Sequence, residues 1–172
     1  LYRIKILNNL KKISCCEVCG NKNLIEVLNL GEHPLCDDLI PIDTNRECET
    51  FPIEILFCKN CLTAHQKYQV TKQILFPSNY HYRARFTKDV INGMNLLVED
   101  CKKFLGKITE LKVMDIGCND GSLLNIFRKS GCHTFGVEPT GAAEDALIEG
   151  HKIYNSYFDT RIANEILQKD GL

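Results

Sequence analysis

Three features that would place a chain in a broad class are absent from this sequence. Basic residues are not in excess, because 21 Lys and Arg are balanced by 22 Asp and Glu, and a nucleic-acid partner is therefore not expected. No apolar run approaches the roughly 18–20 residues of a membrane span, so no membrane partner is expected either. The first six residues lack a signal-peptide core, which predicts a cytoplasmic protein. Residue 1 is Leu rather than Met, which predicts that the gene begins upstream.

Cysteine, by contrast, is abundant, with ten residues among 172. Four of them form two C-x-x-C pairs, Cys16 with Cys19 and Cys58 with Cys61. Such a turn places two sulfurs on one metal ion, and zinc prefers four thiolates in a tetrahedron. The spacing therefore predicts one zinc site in a reducing compartment and not a disulfide framework. Because all four ligands come from the protein, no position is open for water, and the zinc is expected to be structural.

Other uses of these cysteines remain open at the level of sequence. The four side chains are also consistent with buried structural cysteines, and either pair with a redox motif. Cys15 adjoins Cys16, but only Cys16 keeps the two-residue spacing to Cys19. His33 and His65 are alternative ligands, although a solvated or core position is expected for each.

Hydrophobic periodicity separates a strand-rich part of the chain from a later part that contains helices. Residues 23–30 and 51–57 nearly alternate apolar and polar side chains, which predicts two strands in a first domain without a long helix. From Thr87 the apolar residues recur every three or four positions, which predicts a connecting helix that ends at Gly106. We expect its apolar stripe to lie in a core. The stripe comprises Val90, Ile91, Met94, Leu97, Val98, Cys101, Phe104 and Leu105.

Residues 111–172 alternate between short apolar strands and helices. Strands are predicted at 111–116, 134–137 and 151–154, and helices at 122–130, at 142–148 and from 162. This alternation indicates a parallel, doubly wound α/β sheet. Because open sheets of this type need about five to seven strands, three strands predict a fold that is only half present.

A glycine-rich turn, Gly117-Cys-Asn-Asp-Gly121, lies between the first of these strands and its helix. Glycines let the backbone pass close to a ligand, and a helix N-terminus follows directly. The spacing differs from the G-x-G-x-x-G fingerprint of dinucleotide-binding proteins. In addition, Asp115 and Asp120 would repel a pyrophosphate. The turn is therefore predicted to bind a positively charged ligand without phosphate, such as S-adenosylmethionine.

Glu138 ends the second of these strands, about 20 residues after Gly117, where an acidic side chain accepts hydrogen bonds from both ribose hydroxyls of a nucleoside. The order of strand, turn, helix, strand and Glu therefore favours a nucleoside cofactor. An α/β domain with a polar turn and no ligand is the alternative.

Together these motifs resemble the nucleotide-sugar C-methyltransferases, the enzymes that make branched deoxysugars such as mycarose. The resemblance covers nearly the whole chain. It is carried by the paired knuckles and by the segments Leu30-Gly-Glu-His-Pro-Leu35, Tyr80-His-Tyr82, Asp115-Ile-Gly-Cys-Asn-Asp-Gly121 and Gly136-Val-Glu-Pro139. It implies a zinc-ribbon-like β domain at 1–76, a connecting helical segment at 77–110, and the N-terminal half of a Rossmann-like, class I methyltransferase domain at 111–172.

The resemblance also implies roles for individual residues. Asp115 and the turn would hold the methionine end of S-adenosylmethionine, Glu138 the ribose, and Phe158 is a candidate to flank adenine. The full predicted cofactor set is Asp115, Gly117, Cys118, Asn119, Asp120, Gly121, Glu138 and Pro139. Methylation of carbon beside a keto group needs a base. Tyr80 and Tyr82, with His81 between them, are candidates to bind or polarise the substrate. Alternatively, these side chains pack at a domain junction. The principal base is expected beyond Leu172.

The sequence departs from the family after Tyr82, where serines are usual and Arg83 and Arg85 stand instead. The arginines are consistent with binding a nucleotide diphosphate or with solvated charges. Three functions therefore remain: C-methylation of a nucleotide sugar, methylation of another small molecule, and a non-catalytic zinc-ribbon interaction module. In the first two, residues 1–172 alone are expected to be inactive, because half of the cofactor crevice would be absent.

Overall fold

The structure, a computed structural model, describes residues 10–172. The predictions that concern residues 1–9, the missing signal-peptide core and the start of the first domain, lie outside the described residues. The chain divides into two compact units, with the boundary between Leu75 and Phe76. Residues 77–110, for which the sequence predicts a separate connecting segment, cluster with the second unit.

The first unit consists of small antiparallel sheets. Its elements are β1 (Leu10–Lys12), β2 (Leu24–Pro34), β3 (Thr50–Cys58), β4 (Thr63–Gln66), β5 (Tyr68–Val70) and the single turn α1 (Lys72–Leu75). Strands β2, β3 and β4 form one sheet in that order, and β1 pairs with β5. Both strands predicted here are confirmed as β2 and β3, and no described residue of this unit lies in a long helix.

The core of the first unit is small. Among the described residues, its buried apolar side chains are Ile13, Phe51 and Leu56 together with the thiols of Cys16 and Cys58, and β2 contributes no buried residue. So few buried side chains supply too little hydrophobic stabilisation to offset the loss of chain entropy. A unit of this kind needs a further source of stability, such as a bound metal.

The second unit is a parallel sheet with helices. Its elements are a 3-10 turn (Ala84–Phe86), α2 (Lys88–Leu105), β6 (Lys112–Ile116), α3 (Ser122–Lys129), β7 (His133–Val137), α4 (Ala142–Ile148), β8 (Lys152–Tyr154) and α5 (Thr160–Asp170). The strands pair in the order β6-β7-β8, all parallel. The predicted fold class, a small β domain followed by a partial Rossmann-like sheet, is confirmed.

Side chains on the two faces of this sheet belong to different hydrophobic clusters. Val113 packs against the cluster of Val98, Ile108, Phe127 and Cys132, on the side of α2 and α3. Its neighbour Met114 packs against the cluster of Val137, Ile162 and Ile166, on the side of α5. Because successive strand residues point to opposite faces, β6 is covered on both sides. This arrangement leaves the carboxyl ends of the strands as the open edge for a ligand.

Helix α2 has the predicted ends but not the predicted burial. It follows Thr87 and stops at Gly106, whose φ of 76° is the left-handed conformation typical of a helix stop. Within its apolar stripe only Val98 is buried, whereas Leu97 is 49% and Phe104 92% exposed. The expectation of a fully buried stripe is therefore wrong for the described residues. The stripe is wider than the line along which α2 contacts α3.

No helix among residues 10–172 combines the length and the apolar character needed to cross a membrane.

Truncation of Leu124 should destabilise the second unit strongly. Leu124 is fully buried, so Leu124→Ala removes buried apolar surface and leaves a cavity, at a cost of about 2–5 kcal/mol. Leu96 is 65% exposed, and Leu96→Ala is the matched control, with an expected change below about 0.5 kcal/mol. Urea denaturation measures both, and equal losses in the two variants would contradict the core placement.

Candidate functional site

The two C-x-x-C knuckles adopt the same turn. In the first, the N–H of Gly20 donates to the carbonyl of Cys16 at 2.9 Å, and in the second the N–H of Leu62 donates to that of Cys58 at 2.8 Å. Gly20 has φ 73° and Leu62 has φ 61°. The left-handed conformation costs a residue with a side chain about 1–2 kcal/mol, so the backbone of the second knuckle is strained at Leu62. This knuckle is the turn between β3 and β4.

These turns gather four sulfur atoms in one place. The Sγ atoms of Cys16, Cys19, Cys58 and Cys61 all lie within 4.8 Å of one another. Two of the separations are 3.4 Å, between Cys16 and Cys61, and 3.6 Å, between Cys19 and Cys58. A tetrahedral zinc with Zn–S bonds of about 2.3 Å needs sulfurs about 3.8 Å apart. The four cysteines therefore fit a zinc ion, as predicted.

The alternative ligands do not join this cluster. His33 uses its Nε2 for a 2.8 Å hydrogen bond with the carbonyl of Leu30. His65 lies closer, with Nε2 3.2 Å from Sγ of Cys16, but among the described residues the set of mutually close donor atoms comprises the four cysteines alone. Cys15 also lies outside it. The ligand set is therefore four thiolates, and His65 occupies the layer around it.

A second layer of side chains surrounds the sulfurs, one polar group for each. His65 lies against Cys16, Asn60 donates to Cys19 at 3.4 Å, Asn21 donates to Cys58 at 3.6 Å, and the Thr63 hydroxyl lies 3.2 Å from Cys61. Hydrogen-bond donors of this kind stabilise thiolate charge and orient the ligands of a metal. The sequence contains no spacing rule that would identify these four residues, and sequence reasoning missed three of them.

The thiols differ in acidity because their surroundings differ. Backbone N–H groups, chiefly that of Cys61, lower the pKa of Cys58 to about 6. The side chain of Asn60 is the main cause of a lowered pKa at Cys19. Burial instead raises the pKa of Cys16 to about 11. The lowered pKa values of Cys58 and Cys19 favour the thiolate, the form that binds zinc.

The second candidate site is the glycine-rich turn between β6 and α3. Gly117 and Gly121 have φ values of 80° and 76°, and Asn119 has φ 51°. A Cβ on Gly117 would meet no atom within 4 Å, whereas one on Gly121 would lie 2.9 Å from the His151 ring and 3.2 Å from the Ala146 backbone. Gly117 is therefore open toward a ligand, and Gly121 is the point where the turn packs onto the protein.

Glu138 anchors this turn from the end of β7. The carboxylate is buried, at 5% exposed, and accepts hydrogen bonds from the N–H of Asn119 at 3.0 Å and of Thr140 at 2.9 Å. The Thr140 hydroxyl donates to it as well, at 2.6 Å. Glu138 therefore fixes the backbone of the turn, a role that the sequence did not reveal, and Thr140 is a further site residue that sequence reasoning missed.

Asp115 is the acidic side chain at the end of β6 that interacts electrostatically with Glu138. Burial, and then the charge of Glu138, raise the pKa of its carboxyl. Two carboxylates that interact in this way are stabilised by a positive charge between or beside them. The pair therefore favours a cationic ligand at the ends of β6 and β7.

Asp120 is held by hydrogen bonds within the protein. Its side chain is fully buried, and one oxygen accepts from the N–H and hydroxyl of Ser122, at 3.2 and 2.6 Å, as a helix cap. The other oxygen accepts from the N–H of Arg85 at 3.0 Å. The Asn119 side chain is likewise turned toward the segment before α2. That Asn119 and Asp120 belong to the cofactor set stays a prediction, in which their backbone atoms contact the cofactor.

The two arginines after Tyr82 are tied to the protein. Arg83 donates from Nε to Asp145 at 2.6 Å and from a terminal nitrogen to the carbonyls of Tyr80 and Tyr82. Arg85 makes looser ion pairs at 3.3 and 3.5 Å. Although burial opposes it, the arginines keep the pKa of Asp145 below its ordinary value. Arg83 is therefore not a solvated charge, and diphosphate binding by the arginines stays a prediction.

The aromatic candidates belong to the second unit. The rings of Phe76 and Tyr80 pack edge to face, 5.6 Å between centroids, while Tyr82 is 40% exposed. Phe158 is 41% exposed and follows Tyr157, whose hydroxyl donates to the carbonyl of Phe76 at 2.8 Å. The roles of Tyr80, Tyr82, Phe158 and Pro139 stay predictions.

Loss of one sulfur should abolish zinc retention. Cys58→Ser removes a buried ligand, and we expect the purified variant to hold well under one zinc per chain and to unfold in its first unit. Cys36→Ser, at an exposed cysteine outside the cluster, is the control and should keep its zinc. Metal analysis by mass spectrometry measures both, and stoichiometric zinc in Cys58→Ser would contradict the assignment.

The two glycines of the turn should respond differently to substitution. Gly117→Ala and Gly121→Ala both force alanine into the left-handed region, at about 1–2 kcal/mol. Only Gly121→Ala also drives a Cβ into His151 and the Ala146 backbone, which adds about 1–3 kcal/mol. The melting temperature should therefore fall further in Gly121→Ala, and the reverse order would show that the turn packs otherwise.

Comparison with known proteins agrees with this geometry. Residues 16–76 match the model of a protein family described as "Putative zinc binding domain". The chain is 28% identical over 167 residues to C-methyltransferase NovU of Streptomyces niveus, a match that covers 94% of this chain and 39% of that protein. The chain thus spans about two fifths of the length of this relative. The comparisons therefore agree with the predicted resemblance at this level: residues 16–76 form a zinc-binding domain, and the chain is related to a C-methyltransferase.

Proposed function

We propose that the chain is part of an S-adenosylmethionine-dependent methyltransferase that adds a methyl group to a carbon of a nucleotide-linked keto-deoxysugar. The observation that carries the proposal is the pair of acids at the ends of adjacent parallel strands, Asp115 and Glu138, around an open glycine turn. The relation to C-methyltransferase NovU supports the type of reaction.

The residues of this crevice fit the proposed cofactor. S-adenosylmethionine carries an ammonium and a sulfonium group and no phosphate, so the positive end would relieve the repulsion between Asp115 and Glu138. The open side of Gly117 lets the methionine portion approach the backbone. A carboxylate has about four acceptor positions, so beside its three donors, the N–H groups of Asn119 and Thr140 and the Thr140 hydroxyl, Glu138 retains capacity for about one ribose hydroxyl.

The chemistry sets what the protein must supply. The cofactor, when bound, provides an electrophilic methyl group. Removal of a proton from the carbon next to a keto group gives an enolate, which requires a base and a group that polarises the carbonyl. We assign Tyr80 and Tyr82 to substrate binding or polarisation, and the principal base to the remainder of the enzyme. The fixed Arg83 contacts hold both tyrosine carbonyls in place, which supports a positioned aromatic pair.

A related methyltransferase for another small molecule is the second candidate. It is favoured by Arg83 and Arg85, which stand where the sugar enzymes usually have serines and which pair with Asp145 instead of facing a substrate. A panel of nucleotide sugars, assayed by mass spectrometry for the gain of one methyl group, separates the two candidates. Methyl transfer to a keto-deoxysugar nucleotide supports the first, and transfer only to other acceptors supports the second.

Cofactor binding is tested first, by isothermal titration of the complete, zinc-loaded gene product with S-adenosylmethionine. We expect saturable binding, and Asp115→Asn should weaken it by about tenfold or more, because a charge-assisted contact to the cofactor is lost. Asp100→Asn, at an exposed acid on α2, should bind as the wild type does. No heat at millimolar ligand would contradict the proposal and favour a non-catalytic zinc module.

A further inference from the structure

The segment that contains the tyrosines, residues 80–86, is held against the glycine-rich turn by side chains of the turn. We call this segment the strap. Asn119 accepts at Oδ1 from the N–H of Ala84 at 3.0 Å and donates from Nδ2 to the carbonyl of Tyr82 at 3.1 Å. Asp120 accepts from the N–H of Arg85 at 3.0 Å. Three backbone groups of the strap are thus bonded to two adjacent side chains.

The same two residues are fixed on the other side by the crevice. The N–H of Asn119 donates to Glu138, and its φ of 51° turns the side chain away from that bond. Asp120 is buried and caps α3 through Ser122. Each residue therefore has its backbone in the proposed cofactor crevice and its side chain on the strap, so a displacement of the turn must also displace the strap.

The strap has an internal brace of its own. Arg83 folds back onto the carbonyls of Tyr80 and Tyr82 and is anchored by Asp145. Its shape is therefore set by Arg83, whereas its attachment to the turn is set by Asn119 and Asp120. The two contributions can be changed separately by substitution.

We propose that Asn119 and Asp120 are positioning residues that couple the cofactor turn to the tyrosine-bearing strap. The coupling rests on the proposed function, since it acts only when the turn binds S-adenosylmethionine. Cofactor that orders the turn then also holds the strap, and with it Tyr80 and Tyr82, in one arrangement beside the methyl donor. Loss of the side-chain bonds frees the strap without removing any group that contacts the cofactor through its backbone.

Limited trypsin digestion of the complete, zinc-loaded protein tests this directly, because the strap contains the cleavable bonds after Arg83 and Arg85. Asn119→Ala removes two hydrogen bonds to the strap, so cleavage at these bonds should accelerate about tenfold or more. Saturating S-adenosylmethionine should slow cleavage in the wild type and have far less effect in the variant. Cleavage after Arg128, in helix α3, reports unfolding of the unit and should stay unchanged.

Three further variants complete the test. Ala84→Pro removes the N–H that donates to Asn119, at a site whose preceding residue already has the extended conformation that proline requires, φ −131° and ψ 123°. Because trypsin does not cleave an Arg–Pro bond, release of the strap in this variant is read at the bond after Arg85, where cleavage should accelerate as it does in Asn119→Ala. Asp120→Asn leaves one acceptor oxygen where the carboxylate has two, each bonded to a backbone N–H, so at most one bond to the strap is lost and cleavage should accelerate less than in Asn119→Ala. Asn95→Ala, whose side chain bonds only its own helix at Ile91, is the matched control.

Failure of the coupling and failure of the proposed function give different experimental results. Wild-type cleavage rates in both Asn119→Ala and Ala84→Pro, or equal cofactor protection in wild type and variant, would overturn the coupling even if S-adenosylmethionine binds. Absence of heat in the titration of the wild type contradicts the proposed function instead, and it is read from a different measurement.

Discussion

The second unit depends on the hydrogen bond between the N–H of Asn119 and the carboxylate of Glu138. It joins the loop after β6 to the end of β7, two places that parallel pairing brings side by side. A buried carboxylate is expensive unless backbone donors satisfy it, and Asn119 and Thr140 supply these donors. Because burial of Glu138 is costly without these donors, the turn is restricted to one conformation, with its glycines in the left-handed region.

That constraint explains why the acidic residues of the turn make different interactions. Asp120 accepts hydrogen bonds from Ser122 and from the strap and lies 3.5 Å from the guanidinium of Arg85, whereas Asp115 interacts electrostatically with Glu138. The proposed preference for a cationic nucleoside therefore rests on Asp115 and Glu138 rather than on Asp120.

Sequence predicted those parts of the molecule that follow from spacing. Two C-x-x-C pairs are sufficient to place four sulfurs around one metal, because each turn fixes its own two ligands. Strand and helix periods are likewise local properties, so β3 and α2 were predicted close to their observed bounds, whereas β2 continues four residues past its predicted end at Leu30. The hydrogen-bond partner of a side chain, by contrast, depends on the tertiary structure. Asn119 and Asp120 bond to residues about 35 positions earlier in the chain. The burial of the α2 stripe was mispredicted for the same reason, since it depends on which partner covers the helix.

The closed four-cysteine cluster has a consequence for how the first unit exists in a cell. Because the ion binds the folded arrangement and the hydrophobic core is minimal, the folding equilibrium shifts with the logarithm of free zinc concentration. The amount of folded first unit is then governed by metal supply as well as by the sequence. Zinc scarcity would leave an ordered α/β unit attached to an unfolded neighbour, and the protein would become a target for proteolysis from that end.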